Sequence, residues 1–254
     1  MGEHGEYGPL VRLALALLAA HWATAAPAAC RLALVLALDV SGSVDEREYV
    51  VQLNGVATAL EHPDVMAALL EFPDVPVALA IFEWSSASYQ REILGWTMLE
   101  DEAAISGVVG RLRGWQRRPA PEATGLGAAL RHAAGLLRTG PACWAQTIDV
   151  SGDGKNNDWP VPADLKASGE LAGVTVNALA IGQELLRGGD TRRLGIAELT
   201  AYFHAQLIQG PGAFVEVALG YDDYANAMTR KLLREISAPP LGMTRPAPRR
   251  FAAR

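Results

Sequence analysis

The chain has 254 residues, 50% of them hydrophobic and 20% charged, with a formal net charge of −6. That length holds one large α/β domain or two small ones, and the composition excludes a fibrous or wholly disordered chain. The acidic balance leaves no electrostatic footprint for nucleic acid, and the arginines between 245 and 254 are too few to change that.

Residues 1–25 read as a signal peptide. Residues 10–20 are apolar but too short to cross a bilayer, and Ala23-Thr24-Ala25 offers a small-x-small cleavage site. The charged region before them is weak, with Arg12 opposed by Glu3 and Glu6, and an amphipathic or buried helix is the alternative. No later stretch reaches spanning length, so the mature chain is expected to be exported without a membrane span, in the periplasm or beyond it.

From residue 30 the pattern alternates. Strands are predicted over 32–38, 75–82, 92–97, 145–150, 174–181 and 213–218, and helices over 46–61, 102–112, 126–138, 163–171, 195–202 and 222–236. Several strands are continuously apolar, as strands buried on both faces must be. Alternation of this kind predicts an α/β fold, a doubly wound and mostly parallel sheet with helices on both faces. No helix fits between 75–82 and 92–97, so one of that pair is expected as an antiparallel edge strand. The domain is expected to occupy 30–237, followed by a disordered Pro/Arg-rich tail over 238–254.

Two cysteines are present, Cys30 and Cys143, each just before an apolar strand pattern. If those strands are neighbours in a parallel sheet, both cysteines stand at its amino edge and a disulfide is geometrically reasonable. A lipid anchor on Cys30 is the rival, but Pro27-Ala28-Ala29 lacks the aliphatic residue such sites carry.

The residues that carry chemistry begin at the end of the first strand. Asp39-Val40-Ser41-Gly42-Ser43 puts one carboxylate and two hydroxyls on a tight turn at the carboxyl edge of the sheet, an oxygen-only set suited to a hard divalent cation. Ligands of open α/β sheets bind outside that edge, so loops arriving there should supply the partners. Thr124, before the 126–138 helix, and Asp153, in Ser151-Gly152-Asp153-Gly154, are the candidates. Taken singly, Thr124 reads as a helix N-cap and Asp153 as a turn former. Trp115 and Trp159 are expected to be exposed near this face, with Trp84, Trp96 and Trp144 in packing. His62, His132 and His204 read as surface or packing residues.

Asp39, Ser41, Ser43, Thr124 and Asp153, in that order, resemble the metal-ion-dependent adhesion site of von Willebrand factor A-like domains. The helix start Thr124-Gly125-Leu126-Gly127 and the Gly-Asp-Gly loop extend the resemblance over roughly 31–236. Within that superfamily the chain is similar to an exported bacterial group described as domain of unknown function 1194. The resemblance implies that Asp39, Ser41, Ser43 and Thr124 hold Mg2+ (or Mn2+ or Ca2+) directly or through water, with Asp153 acting mostly through water. It also implies a protein partner presenting an acidic residue, and no enzyme activity. The third motif departs from the usual Thr-Asp-Gly, which leaves Asp149, inside the strand, as an alternative to Asp153.

A Mg2+-dependent phosphatase of the haloacid dehalogenase type is the competing reading, with Asp39 as nucleophile and Asp153 in the Gly-Asp-Gly-x-Asn loop. Against it, Ser41 stands where a general acid is expected and cannot deliver a proton at neutral pH. No lysine precedes Lys155, although that chemistry needs one upstream of the loop.

Overall fold

The structure, a computed structural model, describes residues 30–182 and 189–237, with backbone alone for 189–194. The expected signal peptide and the Pro/Arg-rich tail lie outside the described residues.

β1 (Cys30–Asp39) is buried along its whole length and sits at the centre of the sheet. The other strands are β2 (Val77–Trp84), β3 (Gln90–Leu99), β4 (Cys143–Gly152), β5 (Thr175–Ile181) and β6 (Val215–Ala218), in the spatial order β3-β2-β1-β4-β5-β6. All neighbouring pairs are parallel except β2–β3, so β3 is the antiparallel edge strand. The chain winds outward from β1 to β3, then returns to β4 on the other side of β1. The place where winding reverses is therefore the crevice between β1 and β4, where such sheets bind ligands.

The alternation along β1 divides the core in two. Leu32, Leu34, Leu36 and Leu38 face one side, where α1 (Glu46–Glu61), α2 (Pro63–Leu70), α3 (Glu102–Arg113) and α7 (Tyr224–Ser237) pack. Ala33, Val35 and Ala37 face the other, covered by α4 (Leu126–Thr139), α5 (Pro162–Ser168) and α6 (Gly189–Tyr202) with the π turn Phe203–Leu207 behind it. Large leucines on one face and small residues on the other let α4, with Ala129, Ala133 and Ala134, approach the sheet closely.

The elements begin and end for local reasons. α1 starts in a capping box, Asp45 accepting from the Glu48 N–H while the Glu48 side chain accepts from the Asp45 N–H. α2, which is absent from the predicted elements, arises because Pro63 ends the first helix and starts the next. Val50 of α1, next to the buried Tyr49, is exposed. At the amino edge the buried Arg31 guanidinium donates to Ile236 O and Leu69 O, satisfying last-turn carbonyls of α7 and α2.

Cys30 is in register with Cys143, and the two form a disulfide with Cα atoms 4.6 Å apart. Among the described residues no helix is long and apolar enough to cross a membrane.

Candidate metal centre

β1 delivers Asp39 to the carboxyl edge, and a set of hydrogen bonds fixes its turn. The Asp39 carbonyl accepts from Gln52 Nε2 of α1 at 2.9 Å, and Val40 N–H donates to Trp84 O of β2 at 2.8 Å. Asp39 Oδ1 accepts from the Ser41 N–H at 2.8 Å, which folds the chain back over the strand end. Gly42 N–H then donates to Glu122 O, joining the first motif to the loop that carries Thr124.

That loop is locked to the one following β4. Thr124 N–H donates to Asn157 Oδ1 at 2.7 Å, and Asn157 N–H returns a bond to Thr124 O at 3.0 Å. Asn156 Oδ1 accepts from Gly127 N–H. A side chain at Gly127 would meet Pro160 O at 2.0 Å, so only glycine lets this loop lie against the start of α4.

The structure brings together all five oxygen-bearing residues expected from the motifs. Ser43 Oγ donates to Asp153 Oδ1 at 2.5 Å, Ser41 Oγ lies 3.4 Å from Ser43 Oγ, and Thr124 Oγ1 lies 3.4 Å from Ser41 Oγ. Thr124 is not a helix cap: Gly125 holds that position and no side chain caps α4. Asp153 sits where β4 ends, as expected, whereas Asp149 does not reach the site. It is 1% exposed and paired with Lys231 of α7 at 3.1 Å, on the leucine side of the sheet.

Burial sets the electrostatics. Asp39 is fully buried, and that desolvation, with the nearby Asp153 charge as the second cause, pushes its carboxyl up to about 8 despite the bonds from Ser41. The Ser41 hydroxyl and the Asp153 N–H also approach this carboxylate, but no well-directed hydrogen bond reaches its Oδ2. A side chain at Gly152 would sit 3.1 Å from that oxygen, so the glycine keeps the space beside it open. A buried bare carboxylate oxygen next to a second carboxylate is costly unless a cation takes its place in the arrangement. Two carboxylates and three hydroxyls form a hard, oxygen-only donor set, and these residues fit a divalent cation. Among the described residues no group of three or more His, Cys, Asp or Glu forms, so the hydroxyls are indispensable to that fit.

Sequence reasoning missed three residues here. Tyr221, just before α7, is 3% exposed, its hydroxyl makes no hydrogen bond, and burial followed by the Asp153 and Asp39 charges pushes it well above the usual tyrosine range. Gln52 is polar on a buried helix face, a signal that was available. Glu83 is the third: 1% exposed, it accepts from Tyr49 (2.7 Å), Tyr89 (2.8 Å) and Trp115 Nε1 (3.0 Å) and pairs with Arg91 (2.9 Å). Trp115 is therefore half-buried, stacked by the Arg91 and Arg111 guanidinium groups, rather than exposed near the metal face as expected. Trp159 is 66% exposed, and beside it a cleft of 510 Å³ opens between Gln90, Arg131 and His132.

The phosphatase reading finds no support in this geometry. Lys155 pairs with Glu198, Lys166 donates to Ala205 O and Ile208 O, and Lys231 is held by Asp149 and Glu235, so every lysine is engaged away from Asp39.

The family model described as protein of unknown function (DUF1194) matches residues 29–240. No curated protein matches the chain. Solved structures similar to it include proximal thread matrix protein 1 from the mussel byssus (TM-score 0.54, 15% identity, 82% of this chain and 48% of that one). A von Willebrand factor type A protein from Catenulispora acidiphila scores 0.53 at 15% identity, with 82% and 43% covered. The pilus adhesin SpaC from Lactobacillus rhamnosus GG scores 0.53 at 13% identity, with 82% and 30% covered. The chain spans less than half the length of each of these proteins. One form of the mussel protein is described with a zinc-occupied MIDAS motif (TM-score 0.53, 14% identity, 82% and 46% covered).

Proposed function

The chain belongs to the family of proteins of unknown function DUF1194 and has a von Willebrand factor A-like fold, and from that premise we propose that it is an exported module binding a partner protein through a divalent cation. The observation that carries this reading is the buried Asp39 carboxylate, with no well-directed hydrogen bond on its Oδ2, gathered with a second carboxylate and three hydroxyls at the switch point of the sheet.

On this reading Asp39, Ser41, Ser43 and Thr124 hold Mg2+ or a similar cation, and Asp153 supports it mostly through water. Bound there, the cation supplies positive charge and a coordination position for an outside oxygen, which an acidic side chain of the partner would fill. Asp39 supplies the charge that anchors it, the Ser41 N–H holds that carboxylate in one orientation, and the neutral hydroxyls leave the cation under-neutralised. The surface around it fits a protein partner, since Trp159 and Leu219, 66% and 73% exposed, stand on loops following β4 and β6 at the same sheet edge. Export is supported by the Cys30–Cys143 disulfide, a bond that persists in oxidising compartments, and by residues 1–25 read as a signal peptide. The description of SpaC as a pilus adhesin and of PilB from Streptococcus sanguinis as a minor pilin supports an interaction role over catalysis.

Calorimetric titration of the chelator-stripped protein with Mg2+ tests the reading: saturable one-site binding in the wild type, absent in a folded Asp39→Asn. Unchanged affinity in that variant removes the site. Steady Mg2+-dependent hydrolysis of a generic phosphate ester, lost in Asp39→Asn, would instead restore the phosphatase.

A further inference from the structure

Away from the metal site, α7 drives a lysine into the core. Lys231 is 0% exposed, with Asp149 1% and Glu235 6% exposed around it. Its Nζ lies 3.1 Å from Asp149 Oδ1 and 2.6 Å from Glu235 Oε1. The Phe214 ring stands 4.9 Å from Nζ, and Arg234 lies over that ring at 3.7 Å. Glu235 Oε1 also accepts from Asn177 Nδ2 at 2.8 Å, and Asn177 Oδ1 accepts from the Phe214 N–H at 3.2 Å. A primary amine is thus held against a carboxyl group in the buried interior, with a second carboxyl touching the amine.

We propose that Lys231 and Asp149 are joined in the mature protein by an intramolecular isopeptide bond, with Glu235 handling the protons. The charge count favours it. Two carboxylates and one ammonium out of water leave a net negative charge that one proton relieves. Burial, followed by the charge of Glu235, raises Asp149 to about 8, so its carboxyl holds that proton at neutral pH. Amine plus acid is the pair that condenses, and Glu235, 2.6 Å from Nζ, stands where it can take the ammonium proton. Neither oxygen of Asp149 accepts a well-directed hydrogen bond, and the donor beside its Oδ1, at 3.1 Å, is Lys231 itself.

The step balances without cofactor or oxidant. Lys231 gives one proton to Glu235, 2.6 Å away, and its free amine attacks Cγ of the protonated Asp149 to form the C–N bond. A second proton passes from the nitrogen, relayed by Glu235, to the departing oxygen, and Glu235 keeps the first. The C–O bond breaks, one water leaves, and a neutral amide remains. Proximity replaces chemical activation, because groups held in contact reach effective molarities of about 10⁵–10⁸ M. Product water lost from a site this deeply buried does not readily return to reverse the step.

Tryptic peptide mapping of the reduced and alkylated full chain tests the bond. The expected product is a branched peptide joining residues 139–155 to residues 231–234, lighter than the two together by one water, about 18 Da. Modified Lys231 also resists trypsin, so the free 232–234 peptide disappears. Glu235→Gln, if folded, should leave most chains linear, and a fully branched Glu235→Gln would remove Glu235 from the step. Linear 139–155 and free 232–234 from the wild type overturn the proposal. A water deficit confined to 139–155 also overturns it, since a cyclic imide at Asp153-Gly154 has the same mass. A branch at Asn177, formed with loss of ammonia, excludes Asp149 as the acceptor. The wild-type map decides the matter even where Lys231→Arg fails to fold.

Discussion

At the scale of single residues, Asp39 shows a conflict between stability and binding. Its folded-state carboxyl lies near 8, above its ordinary value, so in the metal-free protein it contributes stability at low pH that is lost as pH rises towards 8. At neutral pH, without a cation, the group is a burden on the fold. Asp39→Asn keeps the shape and removes the charge. We expect the chelated variant to be more stable than chelated wild type at neutral pH by about 1–3 kcal/mol, with Mg2+ raising the melting temperature of wild type only. Thermal melts with and without chelator check both outcomes, and a destabilised Asp39→Asn contradicts the account. Thr124 supports a second prediction. Its hydroxyl faces Ser41 and caps nothing, so Thr124→Ala should change stability by less than about 1 kcal/mol while weakening metal-dependent partner binding. Thr124→Ser should behave like wild type. An early-melting Thr124→Ala with normal partner binding reverses that assignment.

At the scale of elements, the strands and the antiparallel edge were legible because burial on both faces writes continuous apolar runs into the chain. Their ends were less so. β4 starts at Cys143 and ends at Gly152, beyond the apolar 145–150, because pairing with β1 continues where hydrophobicity does not. Asp39, Ser41 and Ser43 of the proposed site were readable as neighbours because they share one local turn, whereas Thr124 and Asp153 reach them on separate loops. Residues that meet only through tertiary packing were not. Lys231 and Glu235 occupy the buried stripe of α7 beside Met228 and Leu232, and a lysine–glutamate pair four residues apart within an apolar stripe was a signal left unread. Glu83 is harder, since Tyr49, Tyr89, Arg91 and Trp115 converge on it from α1, the β2–β3 turn, β3 and the loop after α3. That convergence anchors the segment leading to Thr124, which Arg117 also ties down by donating to Val44 O at 2.6 Å. Glu83→Ala leaves a buried guanidinium and three donors without an acceptor, so we expect a loss of about 3–5 kcal/mol in urea unfolding. Partner binding should fall with it, because the loop holding Thr124 loses its anchor. A Glu83→Ala protein as stable as wild type would show that the four partners find water instead.

At the scale of the whole molecule, the two ends of the sheet have separate duties. The carboxyl edge gathers the polar groups of the proposed cation site, and the amino edge is closed by the Cys30–Cys143 disulfide and by Arg31 holding helix ends. β1 alone separates them by its 10 residues, about 30 Å at roughly 3.3 Å per residue. The disulfide closes a segment of 113 residues in sequence separation. In the chain-entropy model its removal costs up to about 4–5 kcal/mol, or roughly 10–20 °C for a domain of this size. Cys30→Ser with Cys143→Ser should therefore melt much earlier than wild type. The site itself should be spared, because the hydrogen bonds that shape it run between β1, α1 and the loops of the opposite edge, none of them through residue 30 or 143. At a temperature where the reduced protein is still folded, Mg2+ affinity should match that of the oxidised protein within about twofold, the spread expected for distant independent sites. Calorimetric titration of both forms, with circular dichroism to establish folding, makes the comparison. A folded reduced protein that has lost Mg2+ affinity would mean that the register of β1 against β4, and not the local turn at Asp39, is what brings Asp39 and Asp153 together.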